Sequence, residues 1–219
     1  MSELFKDKSI VNHRSELKNQ MKELANKVKL VEESPDKKEA LRKEFLNNMK
    51  SKGEHNPEHN GCTGCFDSGR MTEKRLCRCM YYFNSDKDKV CNSCKIKTKW
   101  KNVGSIAVTE YEYPTKCVLR NVGGIDLIFD NEYAVEVKPQ NSSETLVRMF
   151  AEILTYTIDY DYKPAICFFE GSKQMKDYMK LMSEENQDLL YLCNYIKVFY
   201  FHIECKGDIV EFEIKEMKD

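Results

Sequence analysis

Two carboxylates and one lysine lie inside two short apolar segments of the C-terminal half. Asp126 belongs to residues 123–129, and Glu136 and Lys138 belong to residues 133–139, with an Asp-Asn-Glu turn between the segments. Because residues two apart on a strand share a face, a β-hairpin here would bring the three charged groups together. Burying such groups unpaired is costly, and a hard cation such as Mg²⁺ removes most of that cost. The pattern therefore predicts a metal site that polarises a phosphodiester and activates water, with Lys138 positioning the nucleophile or stabilising the charged transition state.

A plainer interpretation of the same residues stays open. Glu136 and Lys138 would form a surface pair on an edge strand, and Asp126 would cap a turn.

Close cysteine pairs predict a second metal site upstream. Two Cys-x-x-Cys pairs are separated by 25 residues, and a third, tighter pair lies between them. Four thiolates from two tight turns suit tetrahedral zinc, and thiolates also suit an iron–sulfur cluster. The middle pair either replaces one of the outer pairs or joins a two-metal cluster that uses all six thiolates. The predicted ligands are Cys62, Cys65, Cys77, Cys79, Cys91 and Cys94.

The charge of the chain is divided unevenly. Residues 1–101 carry 23 basic and 15 acidic side chains, whereas the remainder carries 12 and 21. A basic half suits a polyanionic partner, and basic residues interspersed with aromatic ones suit phosphates and bases. The cysteine-rich region is therefore predicted to contact nucleic acid, and a purely structural metal module is the alternative. The candidate contacts are Arg70, Lys74, Arg75, Arg78, Lys97, Lys99 and Trp100.

The N-terminal region has the pattern of a helical hairpin. Leu17, Met21, Leu24, Val28 and Val31 form one apolar seam at helical spacing. Ser34 and Pro35 have the pattern of an N-cap followed by proline, which predicts a second helix. The seam would be buried either within the chain or against a second copy in a homodimer.

The rest of the chain predicts an α/β fold with a mixed central sheet. Strands are expected near residues 105–112, 116–121, 124–130 and 133–138, followed by a helix over 142–159 and a strand over 163–170. A helix over 172–187 and a terminal hairpin of 198–204 and 208–215 complete the order. Three domains follow: a helical arm (1–52), a cysteine-rich metal-binding module (53–101) and an α/β domain (102–219).

The order of Asp126, Glu136 and Lys138 resembles the PD-(D/E)XK nuclease superfamily, with Ile125 where the family name has proline. In the following helix, Glu152 and Tyr156 resemble the QxxxY element of RecB-type nucleases, with glutamate in place of glutamine. The family often has an acidic residue on a preceding element, for which Glu110 and Glu112 are the nearest candidates. The resemblance implies a restriction-endonuclease-like sheet and hydrolysis of DNA with Mg²⁺ or Mn²⁺. Asp126, Glu136 and the Val137 carbonyl would hold the cation, and Lys138 would be the catalytic lysine.

Together these patterns predict a metal-dependent endo- or exodeoxyribonuclease whose zinc module grips the substrate. Restriction, phage defence, or recombination and repair would be its setting. The competing hypothesis is a non-catalytic, zinc-stabilised adaptor that recruits a partner protein to nucleic acid. No apolar segment has the length of a signal peptide or of a membrane helix, which predicts a soluble, cytoplasmic protein.

Overall fold

The computed structural model describes residues 14–34, 37, 73–82, 99–114, 124–157, 161–207 and 209–217. Its helices are α1 (Arg14–Glu33), α2 (Glu73–Tyr82), α3 (Leu146–Thr157), α4 (Lys173–Ser183) and α5 (Gln187–Cys193). Its strands are β1 (Lys99–Asn102), β2 (Val108–Pro114), β3 (Gly124–Phe129), β4 (Tyr133–Val137), β5 (Lys163–Phe169), β6 (Lys197–Lys206) and β7 (Ile209–Glu216).

Seven strands form one mixed sheet in the order β1-β7-β6-β5-β4-β3-β2. Strand β3 is antiparallel to both of its neighbours, β2 and β4, whereas β4, β5 and β6 are parallel. Parallel neighbours need a crossover, which α3 provides between β4 and β5, and α4 and α5 provide between β5 and β6. The predicted α/β class with a mixed sheet is confirmed.

The short link between β1 and β2 requires the sheet to curl. These two strands form opposite edges, yet only residues 103–107 join them. Six peptide steps reach at most about 22 Å, whereas six strand spacings of a flat sheet would cover about 29 Å. The hydrogen bonds Val103 N–H to Phe212 O (2.9 Å) and Asp130 N–H to Ala107 O (2.9 Å) anchor the link at both edges.

Side chains of the central strands point alternately to the two faces of the sheet, and each face is covered by its own hydrophobic core. On β5, Ile166 and Phe168 belong to the core shared with α1, α3, α4 and α5. Cys167 and Phe169 belong to the opposite core, which is rich in phenylalanine and is covered by α2. Each face thus buries every second side chain, as a strand covered on both sides requires.

Helix α1 packs against the chain's own α/β body. Met21, Leu24 and Ala25 are fully buried in the same core as α3 and α5, and Leu17 and Val28 pack beside them. At the helix end, the Tyr191 and Tyr195 hydroxyls donate to Glu32. Of the two interpretations of the apolar seam, this arrangement supports packing within the chain over a dimer contact.

Several predicted elements differ from the structure or lie outside it. Strand β1 was not predicted, and the helix expected over 172–187 ends at Ser183, because Glu185 has a positive φ of 51° and Asn186 caps α5. The predicted terminal hairpin is confirmed as β6 and β7, with Gly207 at a φ of 64° in its turn. Apart from Lys37, which is helical, the predicted second N-terminal helix lies outside the described residues, as do the linker and the strand near 116–121. Within the described part of the chain, no helix is long and apolar enough to cross a membrane.

Candidate functional site

The β3–β4 hairpin positions the first two carboxylates. Leu127 pairs with Val135, so Asp126 and Glu136 lie opposite each other on neighbouring strands. The turn between the strands places Asp130 and Asn131 at positive φ (51° and 55°), as tight hairpins require. The Val137 N–H donates to Asp126 Oδ2 at 2.8 Å, which fixes that carboxylate against the start of the Glu136–Lys138 segment.

Lys138 lies at the centre of the site. It follows the last residue of β4 and is only 6% exposed. Its ammonium group makes its closest contact with Glu136, and it lies 3.3–3.4 Å from carboxylate oxygens of three further residues, Glu73, Glu144 and Glu152. These contacts join α2, the β4–α3 loop and α3 around one cation. The arrangement excludes the interpretation of Glu136 and Lys138 as a surface pair.

Helix α3 contributes three residues at a spacing of four. Arg148 Nε donates to Glu152 Oε1 at 2.7 Å, and Glu152 is 4% exposed. Tyr156, one turn further along, is also buried. Burial, together with the nearby Glu136 and Glu152 carboxylates, raises the pKa of the Tyr156 hydroxyl, which keeps it protonated and able to donate. The structure therefore brings Glu152 and Tyr156 to the site predicted from Asp126 and Glu136.

A residue that the sequence patterns did not single out, Glu73, also joins the cluster. Glu73 opens α2, and its carboxylate lies 3.4 Å from Lys138 Nζ. The predicted candidate Glu110 is exposed on β2, and its role at the site stays a prediction. Nothing is described for the side chain of Glu112. The sequence does contain a pattern that could have indicated Glu73. This glutamate precedes Leu76 by three positions and Met80 by seven, as expected for the first turn of an amphipathic helix.

Carboxylates outnumber cations in this cluster. Five acidic side chains (Glu73, Asp126, Glu136, Glu144 and Glu152) share two basic ones (Lys138 and Arg148). Burial is the main reason why the pKa values of Glu73, Asp126 and Glu136 are raised, and neighbouring carboxylates raise them further. Burial alone would also raise the pKa of Glu152, but Lys138 and Arg148 outweigh it and lower that pKa. Burial would lower the pKa of Lys138, and the surrounding carboxylates reverse this effect.

One buried oxygen of the cluster receives no hydrogen bond from an N–H or O–H donor among the described residues. Glu136 is 2% exposed, and its Oε2 atom has no hydrogen-bond partner among the described residues. A buried carboxylate oxygen without a partner costs free energy, and oxygen donors are the ligands that Mg²⁺ and Mn²⁺ prefer. Within the described residues, no group of three or more His, Cys, Asp or Glu side chains is arranged to hold a metal ion, but Asp126 and Glu136 supply oxygen donors of the preferred kind. The donor set of Asp126 and Glu136 therefore fits a hard divalent cation chemically.

The middle cysteine pair lies in the hydrophobic core. Cys77 and Cys79, on α2, are 1% and 7% exposed and pack with Leu76 and Met80 under the sheet. Burial, and then the charge of nearby Asp126, raises the pKa of the Cys77 thiol. These surroundings favour a packing role for both residues. The other predicted ligands, Cys62, Cys65, Cys91 and Cys94, lie outside the described residues.

The predicted nucleic-acid contacts are only partly placed. Arg70 and Lys97 lie outside the described residues. The backbones of Lys74, Arg75 and Arg78 belong to α2, and those of Lys99 and Trp100 belong to β1, but their side chains are not described.

Comparison with known proteins adds no relative of this chain. No protein-family model matches the sequence, and searches of curated proteins and of solved structures find no match to it.

Proposed function

We propose that this chain is a Mg²⁺- or Mn²⁺-dependent nuclease that hydrolyses phosphodiester bonds of DNA. The observation that carries the proposal is the convergence of Asp126, Glu136 and Lys138 in one buried cluster. The unpartnered Glu136 Oε2 supports a cation there. A lysine beside two carboxylates that hold a cation is an arrangement suited to phosphoryl chemistry.

The surrounding elements support the resemblance to PD-(D/E)XK nucleases. An acidic helix residue, a hairpin, the Glu136–Lys138 segment, a helix and an apolar strand follow in that order as α2, β3–β4, α3 and β5. Glu73 supplies the acidic residue from the preceding helix. Glu152 departs from the glutamine of the RecB-type element, and in this chain it instead accepts from Arg148 and faces Lys138.

Each residue has a definite part in such a reaction. Asp126, Glu136 and the Val137 carbonyl would hold the cation, which when bound supplies a Lewis acid for the phosphate and a more acidic water. Lys138 carries its proton at neutral pH, because the carboxylates around it raise its pKa. Its ammonium group would stabilise negative charge that develops on the phosphate oxygens, while Glu73 and Glu152 keep it in place.

The cysteine-rich region would serve the same substrate. Its four outer cysteines suit a structural zinc site, and its excess of basic side chains suits the phosphate backbone. The described acidic site alone would repel DNA, so a basic region on the same chain would provide the attraction.

A cleavage assay with matched variants tests the proposal. Labelled single- and double-stranded DNA would be incubated with purified protein and Mg²⁺, Mn²⁺ or EDTA. Lys138→Met and Glu136→Gln should lose cleavage. Lys163→Met and Glu132→Gln are the controls, because these residues form an exposed ion pair beside the same hairpin and should leave the rate unchanged.

Metal-dependent cleavage that only the site variants lose would support the nuclease. Cleavage that survives Lys138→Met would come from a contaminant or from another site. DNA binding without cleavage under every condition would instead favour the non-catalytic adaptor.

A further inference from the structure

A nuclease site of this composition needs a group that binds the substrate's own negative charge. Lys138 would act on the phosphate that is cleaved, and it is too buried to hold a neighbouring phosphate of the strand as well, since it is 6% exposed and contacts four carboxylates. Arg148 is the other basic residue in the cluster, and about a third (34%) of its side chain is exposed. It therefore lies at the rim of the site, where the buried cluster meets solvent.

The guanidinium group of Arg148 is only partly used by its neighbours. Nε donates to Glu152 Oε1 at 2.7 Å, and Nη1 lies 3.5 Å from Glu144 Oε1. A guanidinium carries five N–H donors in a rigid plane, so these two contacts leave further donors without a partner among the described residues. The two carboxylates hold the plane in place without covering it, which reduces the entropy that a bound anion would have to remove.

Arg148 lies in the first turn of α3, where the helix dipole disfavours a positively charged side chain. Thr145 Oγ1 accepts from the Arg148 N–H at 3.2 Å, which marks Thr145 as the N-cap and Arg148 as the third residue of the helix. The first turn of a helix disfavours positive charge and favours anions. The start of the helix and the partly exposed guanidinium of Arg148 therefore both favour an anion.

Hydrogen bonds from α4 hold the loop before α3 in place. Gln174, which is 1% exposed, donates through Nε2 to the carbonyl oxygens of Ser142 (3.2 Å) and Glu144 (2.8 Å). The Glu144 carboxylate in turn contacts both Lys138 and Arg148. The rim is thus fixed relative to the buried cluster by the N-terminal turn of α4.

We propose that Arg148 binds a phosphate of the DNA backbone at the rim of the site and positions the strand over Asp126, Glu136 and Lys138. This inference rests on the proposed nuclease function and adds to it the group that holds the substrate. The two carboxylates that flank Arg148 orient the guanidinium, and their charge is offset when a cation is bound beside them.

Salt-dependent binding separates this role from a structural one. The dissociation constant of the full chain for a labelled DNA duplex, and for the matching single strand, would be measured over a range of salt concentrations with Ca²⁺ in place of Mg²⁺. Arg148→Met should weaken binding about tenfold, and should reduce the slope of log K against log salt by about 0.9 for the duplex and about 0.7 for the single strand. Arg148→Lys should restore the slope but only part of the affinity, because a lysine keeps the charge without the planar fork.

Lys180→Met is the matched control. Lys180 is 31% exposed and also pairs with a glutamate four residues away, but it lies on α4 away from the cluster. This variant should keep the slope of the wild type. Ca²⁺ affinity of Arg148→Met, measured by calorimetry without DNA, should not be weakened, since the variant removes a positive charge from the site.

The outcomes distinguish the inference from the function on which it rests. If the wild type cleaves DNA and Arg148→Met keeps the wild-type slope and affinity, Arg148 does not bind phosphate and the nuclease proposal stands. If Arg148→Met loses DNA binding only because it unfolds below the assay temperature, Arg148→Lys is the deciding variant. Full recovery of DNA affinity in Arg148→Lys would indicate a structural ion pair and overturn the inference, whereas partial recovery would support it. If the wild type neither binds nor cleaves DNA, the proposed function fails together with the inference.

Discussion

Replacement of Leu24 by alanine tests whether α1 is an integral part of the fold. Leu24 is fully buried between α1 and the helices α3 and α5. The change deletes three buried carbon groups at about 0.8 kcal/mol each, or about 2.4 kcal/mol. The cavity that remains raises the expected loss in the free energy of unfolding to about 3–4 kcal/mol. Such a loss is a large fraction of the stability of a typical domain.

Urea denaturation followed by circular dichroism would measure this loss at low and high protein concentration. Leu30→Ala is the matched control, because Leu30 is in the same helix and is 45% exposed. It should change the free energy of unfolding by no more than about 0.5 kcal/mol. Equal effects of the two substitutions would refute the packing argument. A midpoint that rises with protein concentration would indicate that the seam is buried in a dimer instead.

Three further predictions concern the site and the cysteines. In EDTA at neutral pH, Asp126→Asn should be more stable than the wild type, because burial raises the pKa of Asp126 and its ionisation opposes folding. Above the unfolded pKa of about 3.9, the Asp126 carboxyl holds its proton more often in the native state than in the unfolded state, so the wild type loses stability as the pH rises. The stability difference between Asp126→Asn and the wild type should therefore grow as the pH rises and shrink as the pH falls toward about 3.9. Thermal melts at several pH values would measure this difference. Glu73→Gln should lower the cleavage rate about 10–100-fold without loss of secondary structure, and an unchanged rate would remove Glu73 from the site. Cys77→Ala should keep the zinc content of the wild type, measured by plasma mass spectrometry, whereas Cys62→Ser should lose zinc; loss of metal in Cys77→Ala would restore that residue as a ligand.

The parts of the fold that the sequence predicts well are those defined by neighbours along the chain. The β3–β4 hairpin combines alternating apolar residues with a turn that tolerates positive φ, so its register and the convergence of Asp126 with Glu136 follow locally. Helix α3 has a clear apolar face, and its spacing of four predicts that Glu152 and Tyr156 lie together.

Long-range features could not be obtained in this way. Glu73 and Lys138 are 65 residues apart, and no local pattern specifies which acidic residue of the chain will contact a given lysine. Strand β1 has four residues and is defined by its pairing with β7, whose partner residues lie 110 positions later. The metal-binding role of the α2 cysteines stays a prediction, because thiol spacing alone does not distinguish a metal ligand from a small buried residue.

The composition of the cluster itself argues for function rather than stability. Replacing buried ionic groups by apolar side chains of similar size is often neutral or stabilising, so five carboxylates around two cations are a poor way to build a core. Raised pKa values at Asp126 and Glu136 indicate the same cost. Costs of this kind concentrate at functional sites, where a ligand that arrives later compensates them. A divalent cation would satisfy Glu136 Oε2 and lower the repulsion between Asp126 and Glu136. Asp126→Asn should therefore be more stable than the wild type in EDTA but less active with Mg²⁺.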